Sequence, residues 1–123
     1  MTCDGAAGIR ELDRRACLAL LATTDRARVA LSNQALPVIV PVRYRLDGVQ
    51  IVIDACTGIL TAAASGGHIV CLQADVTDPE TSIAWSVAVT GPLRGAEWHA
   101  DGTVVGVLDT ASITGCSVDG PAS

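Results

Sequence analysis

The sequence predicts a mainly β domain, a small barrel or sandwich with only two helices. Short runs rich in Val and Ile recur along the chain. Turn residues punctuate them, and just two stretches carry helical spacing. Residues 10–23 form the first of these, with Ile9, Leu12, Ala16 and Leu20 on one face and Glu11, Asp13, Arg14 and Arg15 on the other. Residues 27–33 alternate and read as a strand, and residues 37–46 read as a second. Pro41 within that second strand cannot donate to a ladder, so it belongs at an edge, a bulge or a strand end. Asp47-Gly48 then signals a hairpin into a strand at 49–54. A short helix follows over 58–65, with Thr57 as its N-cap and Gly66-Gly67 as its stop. Strands are expected at 68–76 and at 83–98, the latter bent near Gly91-Pro92, and then at 103–109 and 112–118.

Composition narrows the reading. The 123 residues fit one domain. It is expected over residues 10–118, between flexible ends at 1–9 and 119–123. Phe is absent and Tyr occurs once, so the core must be built from Val, Ile, Leu and Ala, with Trp85 and Trp98 as bulky exceptions. The net charge of −5 and scattered basic residues argue against a nucleic-acid partner. The N-terminal stretch is polar rather than signal-like, and the apolar runs are too short to span a bilayer as helices. A cytoplasmic location and no membrane partner are expected. The five cysteines include no C-x-x-C pair and are expected as reduced, buried small hydrophobes.

Several ordered pieces, "ELDRRACLALLATT", "LPVIVPVRY" before "DG", "IDACTGILTAA", "IVCLQADV", "AWSVAVTGPL" and "ASITG", together resemble the pyridoxamine 5′-phosphate oxidase-like family of FMN-binding split β-barrels. The likeness is greatest to its small actinobacterial and nitroimidazole-resistance-type branch. It implies a six-stranded Greek-key split barrel with an N-terminal helix and one short helix after the third strand. It also implies a homodimer with a flavin in a groove between subunits, and a small-molecule substrate. The ring would approach Val40, Pro41, Val42 and Arg43, the phosphate Thr57 and Gly58, and the strand of Trp85 and Ser86 would form another wall.

The sequence departs from that pattern. The family commonly carries Gly-Ser-Lys-Leu where this chain has Thr57-Gly58-Ile59-Leu60. It commonly closes on Thr-Gly-Arg where this chain has Thr114-Gly115-Cys116, and an element that often holds Pro-Trp between Ala96 and Thr103 is missing. All eight cations of the chain are arginines, so no lysine can replace the one lost at Ile59. The turn is therefore either a phosphate cradle of backbone N–H groups or a plain helix cap. Arg43 and Arg45 share one strand face and form either an anion site, able to compensate for the lysine, or a solvated face. Trp85 either flanks a ring cofactor or packs in the core. The metal-like pairs are His68 with Cys71, a poor chelate on a strand, and His99 with Asp101, and zinc wants three or four converging ligands, so no metal is expected. No nucleophile–base motif is visible and no catalytic residue can be named.

Two functions follow. One is an oxidoreductase using FMN or a deazaflavin, with the cofactor doing the chemistry. The other is a degenerate, non-catalytic dimer that lacks a cofactor or weakly binds haem or another planar ligand. With the lysine gone, FMN binding is expected to be weak or absent unless arginines compensate.

Overall fold

The computed structural model describes residues 8–56, 58–78, 80, 83–98 and 104–118. Eight strands and two helices lie among these residues. They are β1 (Ile9–Leu12), α1 (Arg14–Leu21), β2 (Arg26–Asn33), β3 (Leu36–Asp47), β4 (Gln50–Cys56), α2 (Ile59–Gly66), β5 (Ile69–Asp78), β6 (Ile83–Trp98), β7 (Val104–Asp109) and β8 (Ile113–Val118). The architecture is the mainly β one that the sequence predicts, with strands added at the margin.

The strands β2, β3 and β4 form an antiparallel meander, and β5 returns to pair with β2. The resulting order β5-β2-β3-β4 is the Greek-key step. The long β6 then closes the barrel. Its whole length through Pro92 pairs with β5, its first half also pairs with β8, and its second half pairs with β7. Because β7 pairs with β4, the circuit β6-β5-β2-β3-β4-β7 is closed. The first half of β6 instead carries β8 and β1 as a side flap, which splits the barrel.

Two expectations at the helices change. The helix at 10–23 begins only at Arg14, because residues 9–12 instead pair with β8 as β1. Asp13 marks the boundary, its Oδ1 accepting from the Ala16 N–H at 2.8 Å. Thr57, the expected cap of the second helix, lies outside the described residues. Gly58 occupies the N-cap position at φ 55, with no side-chain cap bond. The expected stop holds: Gly67 is left-handed at φ 64, and the His68 N–H donates to the Ala63 carbonyl at 3.0 Å.

The core is aliphatic, as the lack of Phe demands. Val29, Ile51, Ile53, Leu72, Val87, Val89, Leu93 and Leu108 have no exposed surface. Gly115 lets α1 approach β8, since a Cβ there would fall 2.5 Å from Cys17 Sγ. Tyr44 anchors the end of α1. Its hydroxyl donates to the Leu21 carbonyl at 2.7 Å and lies 2.6 Å from Thr24 Oγ1. Arg14 ties the start of α1 to the far turn by donating to the Thr110 carbonyl and, at 3.1 Å, to Thr110 Oγ1. Buried Thr110 passes the connection on, donating from Oγ1 to the Val49 carbonyl at 2.6 Å.

The cysteines do not all match the reduced reading. Cys116 is held in a disulfide, whereas Cys17 and Cys71 are free. Cys3 and the Cys56 side chain lie outside the described residues. Strand pairing, which places Cys116 opposite Glu11 of β1 and Ser86 of β6, brings together residues far apart in sequence, so spacing along the chain does not reveal a bridge.

Candidate functional site: the arginine face of β2 and β3

Alternation on β2 and β3 separates two sets of side chains. On β2, Ala27, Val29 and Leu31 are buried, while Arg26, Arg28 and Ala30 are exposed. On β3, Val38, Val40, Val42 and Tyr44 turn towards the core, while Ile39, Pro41, Arg43 and Arg45 turn outwards. Register then aligns the outward set: Arg26 opposite Arg43, Arg28 opposite Pro41, and Ala30 opposite Ile39.

The proline constraint explains part of this surface. Residues 36–42 of β3 pair only with β2, since pairing to β4 begins at Arg43. Pro37 and Pro41 thus lie on a stretch with one open side, where a missing N–H costs no ladder bond.

Two concavities meet over Pro41 and Val42. One, of about 330 Å³, is lined by Arg26, Ala27, Arg28, Pro41, Val42 and Asp75. The other, of about 250 Å³, is lined by Arg26, Pro41, Val42 and Arg43. Arg28 pairs with Asp75 at 3.2 Å, and Arg45 reaches Asp54 at 4.0 Å. The surface continues across β5 to β6, where Gln73 Nε2 donates to Ser86 Oγ at 2.8 Å. Half of the chain's arginines, Arg26, Arg28, Arg43 and Arg45, therefore occupy one face of two adjacent strands. In a chain of net charge −5, that is the concentrated positive region.

The expected site residues divide accordingly. Pro41 and Arg43 come together on this face, and Ser86 lies on the same side three strands away on β6. Val40 and Val42 direct their side chains inward, with Val42 also bordering both concavities. Trp85 is buried at 8% exposure and packs in the core cluster. Gly58 heads α2 beside Ile59, which is 37% exposed, while Thr57 is outside the described residues. Arg26, Arg28 and Asp75 were missed by the sequence reading. Their signal was present in "RARVALSN", whose alternation puts both arginines on the polar side of the strand.

The raised pKa values belong to Tyr44 and Cys17, both buried on the inner side, and desolvation is the main cause for each. Thr24's hydrogen bond partly opposes the shift of Tyr44, and Asp13 adds to that of Cys17. Among the described residues no three His, Cys, Asp or Glu side chains converge as a metal site.

Residues 13–103 match the family described as pyridoxamine 5′-phosphate oxidase. The chain belongs to the pyridoxamine 5′-phosphate oxidase family. An uncharacterized protein of Mycobacterium tuberculosis is 40% identical over 86 residues, or 66% of this chain. This chain spans only 57% of that relative's length. Among solved structures, an FAD-binding protein of Mesorhizobium loti superposes with a TM-score of 0.76 at 15% identity, covering 90% of this chain and 97% of the other. An FAD-binding protein of Mycobacterium smegmatis gives a TM-score of 0.73 at 22% identity, covering 89% and 97%. At these identities the likeness shows the shared fold of this pyridoxamine 5′-phosphate oxidase family member.

Proposed function

We propose that the protein is a flavin-dependent oxidoreductase of the pyridoxamine 5′-phosphate oxidase family, acting on a small molecule as a cytoplasmic homodimer. The observation that carries this reading is the open groove over Pro41 and Val42, bordered by arginines, on a barrel shared with FAD-binding proteins. Its chemistry suits a flavin nucleotide. Ile39, Ala30 and Pro41 offer a flat apolar strand surface for a planar ring, and the neighbouring guanidinium groups offer donors for an anionic tail.

Bound there, FMN or a deazaflavin would supply the hydride or electron transfer. The chain's own residues would position and shield. Backbone along 40–43 would meet the ring edge on the side left open by β3, and the Gln73–Ser86 pair would present polar atoms further along the same face. No acid or base from this face is required for a simple reduction.

The dimer rests on separate features. Leu36 and Ile39 are each 68% exposed and Ile69 is 63% exposed, unusual values for large apolar residues. Ile39 and Ile69 border an apolar groove of about 390 Å³ beside the open stretch of β3. A second copy seated there would cover them and wall off the ring from water. Light scattering at micromolar concentration should give twice the chain mass; a monomer would remove the shared site.

The absorbance spectrum of the purified protein after incubation with FMN and gel filtration tests the cofactor. Retained flavin absorption supports this reading, and a colourless protein that also fails to quench FMN fluorescence refutes it. A colourless dimer would instead favour a cofactor-free member, the reading to which Ile59 and the uncapped Gly58 point.

A further inference from the structure

We propose that Arg26 and Arg43 form a two-guanidinium clamp for a phosphate monoester, on the strand face rather than at the helix start. The register makes these two residues direct cross-strand partners. Side chains so placed are in contact, and like charges there destabilise a sheet unless an anion lies between them. The other two arginines of the face each have a carboxylate from another strand, Arg28 with Asp75 and Arg45 with Asp54. Arg26 has its chain neighbour Asp25 at 3.8 Å, and Arg43 stands opposite Asp54 in the β3–β4 register but, among the described residues, has no ion pair within 4.0 Å. Among the described residues Arg43 is thus the arginine of this face without a close carboxylate, and Arg26 lies directly across the ladder from it.

That rung has room. The concavity lined by Arg26, Pro41, Val42 and Arg43 holds about 250 Å³ and adjoins the one lined by Arg28 and Asp75. A phosphate monoester carries up to two charges and presents three oxygens, and each guanidinium can grip two of them with parallel N–H donors. A single carboxylate would satisfy one arginine and leave the other. Asp54 stands on the same rung, opposite Arg43 on β4, so an anion is favoured on the Arg26 side of Arg43. By contrast, the described residues at the α2 start, Gly58 and Ile59, carry no cation. The arginine rung replaces the missing lysine from a different element.

The test compares FMN with riboflavin, which differ by the phosphate alone. This arm rests on the flavin reading above. Calorimetric titration of the full chain should show FMN binding about tenfold to a hundredfold more tightly than riboflavin. Arg26→Gln should remove most of that ratio while leaving riboflavin affinity unchanged, and Arg43→Gln should also remove most of the ratio. Arg43→Lys, which keeps the charge but not the fork, should retain part of it, and Arg15→Gln on α1 should retain all of it. Circular dichroism confirms that each variant folds; if either Gln variant does not, the Lys variant at that position takes its place. Equal affinity for FMN and riboflavin, or a ratio untouched by Arg26→Gln and Arg43→Gln, overturns the clamp. If neither flavin binds, the flavin reading fails separately, and phosphorus NMR with inorganic phosphate then decides the clamp. A saturable shift abolished by Arg43→Gln supports it, and no saturable shift in the parent protein overturns it.

Discussion

The inner and outer faces of β2 and β3 use one backbone for two purposes. Inside, Ala27, Val29, Leu31 and Tyr44 are almost fully buried and fix the barrel. Outside, Arg26, Arg28, Arg43 and Arg45 are exposed and contribute little to folding, since solvent screens exposed pairs and long side chains lose entropy on ordering. The lesson is that a substitution's consequence on these strands is set by residue parity. From Val38 onwards, even positions of β3 guard stability, and odd positions hold the surface that a ligand meets. The face that costs least to change is therefore the one on which this chain could move its cations without disturbing the fold.

The comparison is broken most easily from the inner face. Leu72 of β5 has no exposed surface and packs in the same core. Truncation by Leu72→Ala should cost about 2–5 kcal/mol from lost transfer and a residual cavity. Urea unfolding measures it, and a cost below about 1 kcal/mol would mean that the interior is not packed as described.

Tyr44→Phe comes next. It removes the donor to the Leu21 carbonyl and the contact with Thr24, leaving that carbonyl only the long 3.5 Å bond from the Thr24 N–H, at about 0.5–1.5 kcal/mol. Its pH signature is specific. Burial raises the phenol pKa, so the folded state keeps its proton after the unfolded chain has begun to lose it. The stabilisation is complete below the unfolded value of about 10 and is lost as pH rises through the folded value. Tyr44→Phe should flatten that alkaline fall in melting temperature; an unchanged slope would assign it to other groups.

Ile59→Lys sharpens the comparison between faces. It restores a cation at the α2 start, where a phosphate lysine would otherwise stand. If the rung on β2 and β3 already holds the phosphate, FMN affinity should change by less than about threefold. A gain of one decade or more would return the phosphate to the helix start, where a charge-assisted bond is worth about 1.5–3 kcal/mol.

The smallest effect is expected from Arg45→Gln. Its pair with Asp54 spans 4.0 Å, and both side chains are largely in solvent, so the unfolding free energy should move by no more than about 0.5 kcal/mol. A larger loss would show that the outer face helps to hold the barrel.

Local chemistry in the sequence determined most of the fold. Alternating Val and Ile, the Asp47-Gly48 turn and the Gly66-Gly67 stop act over a few residues, so the strands and the second helix were legible without tertiary knowledge. Pro41 foretold the open stretch of β3 because a missing N–H is tolerated only there. The Gln34-Ala35 turn was hidden, since both residues adopt positive φ without the glycine that usually announces it. The shortened α1 depended on a ladder between residues 9–12 and 115–118, which no local pattern reports. The disulfide at Cys116 and the pairing of Arg26 with Arg43 are of the same kind. Residue type and parity reveal which side chains face outwards, because alternation is a property of one strand. Which outward side chains meet is decided by register between strands, and that is fixed only when the barrel closes and its core commits each strand to one alignment.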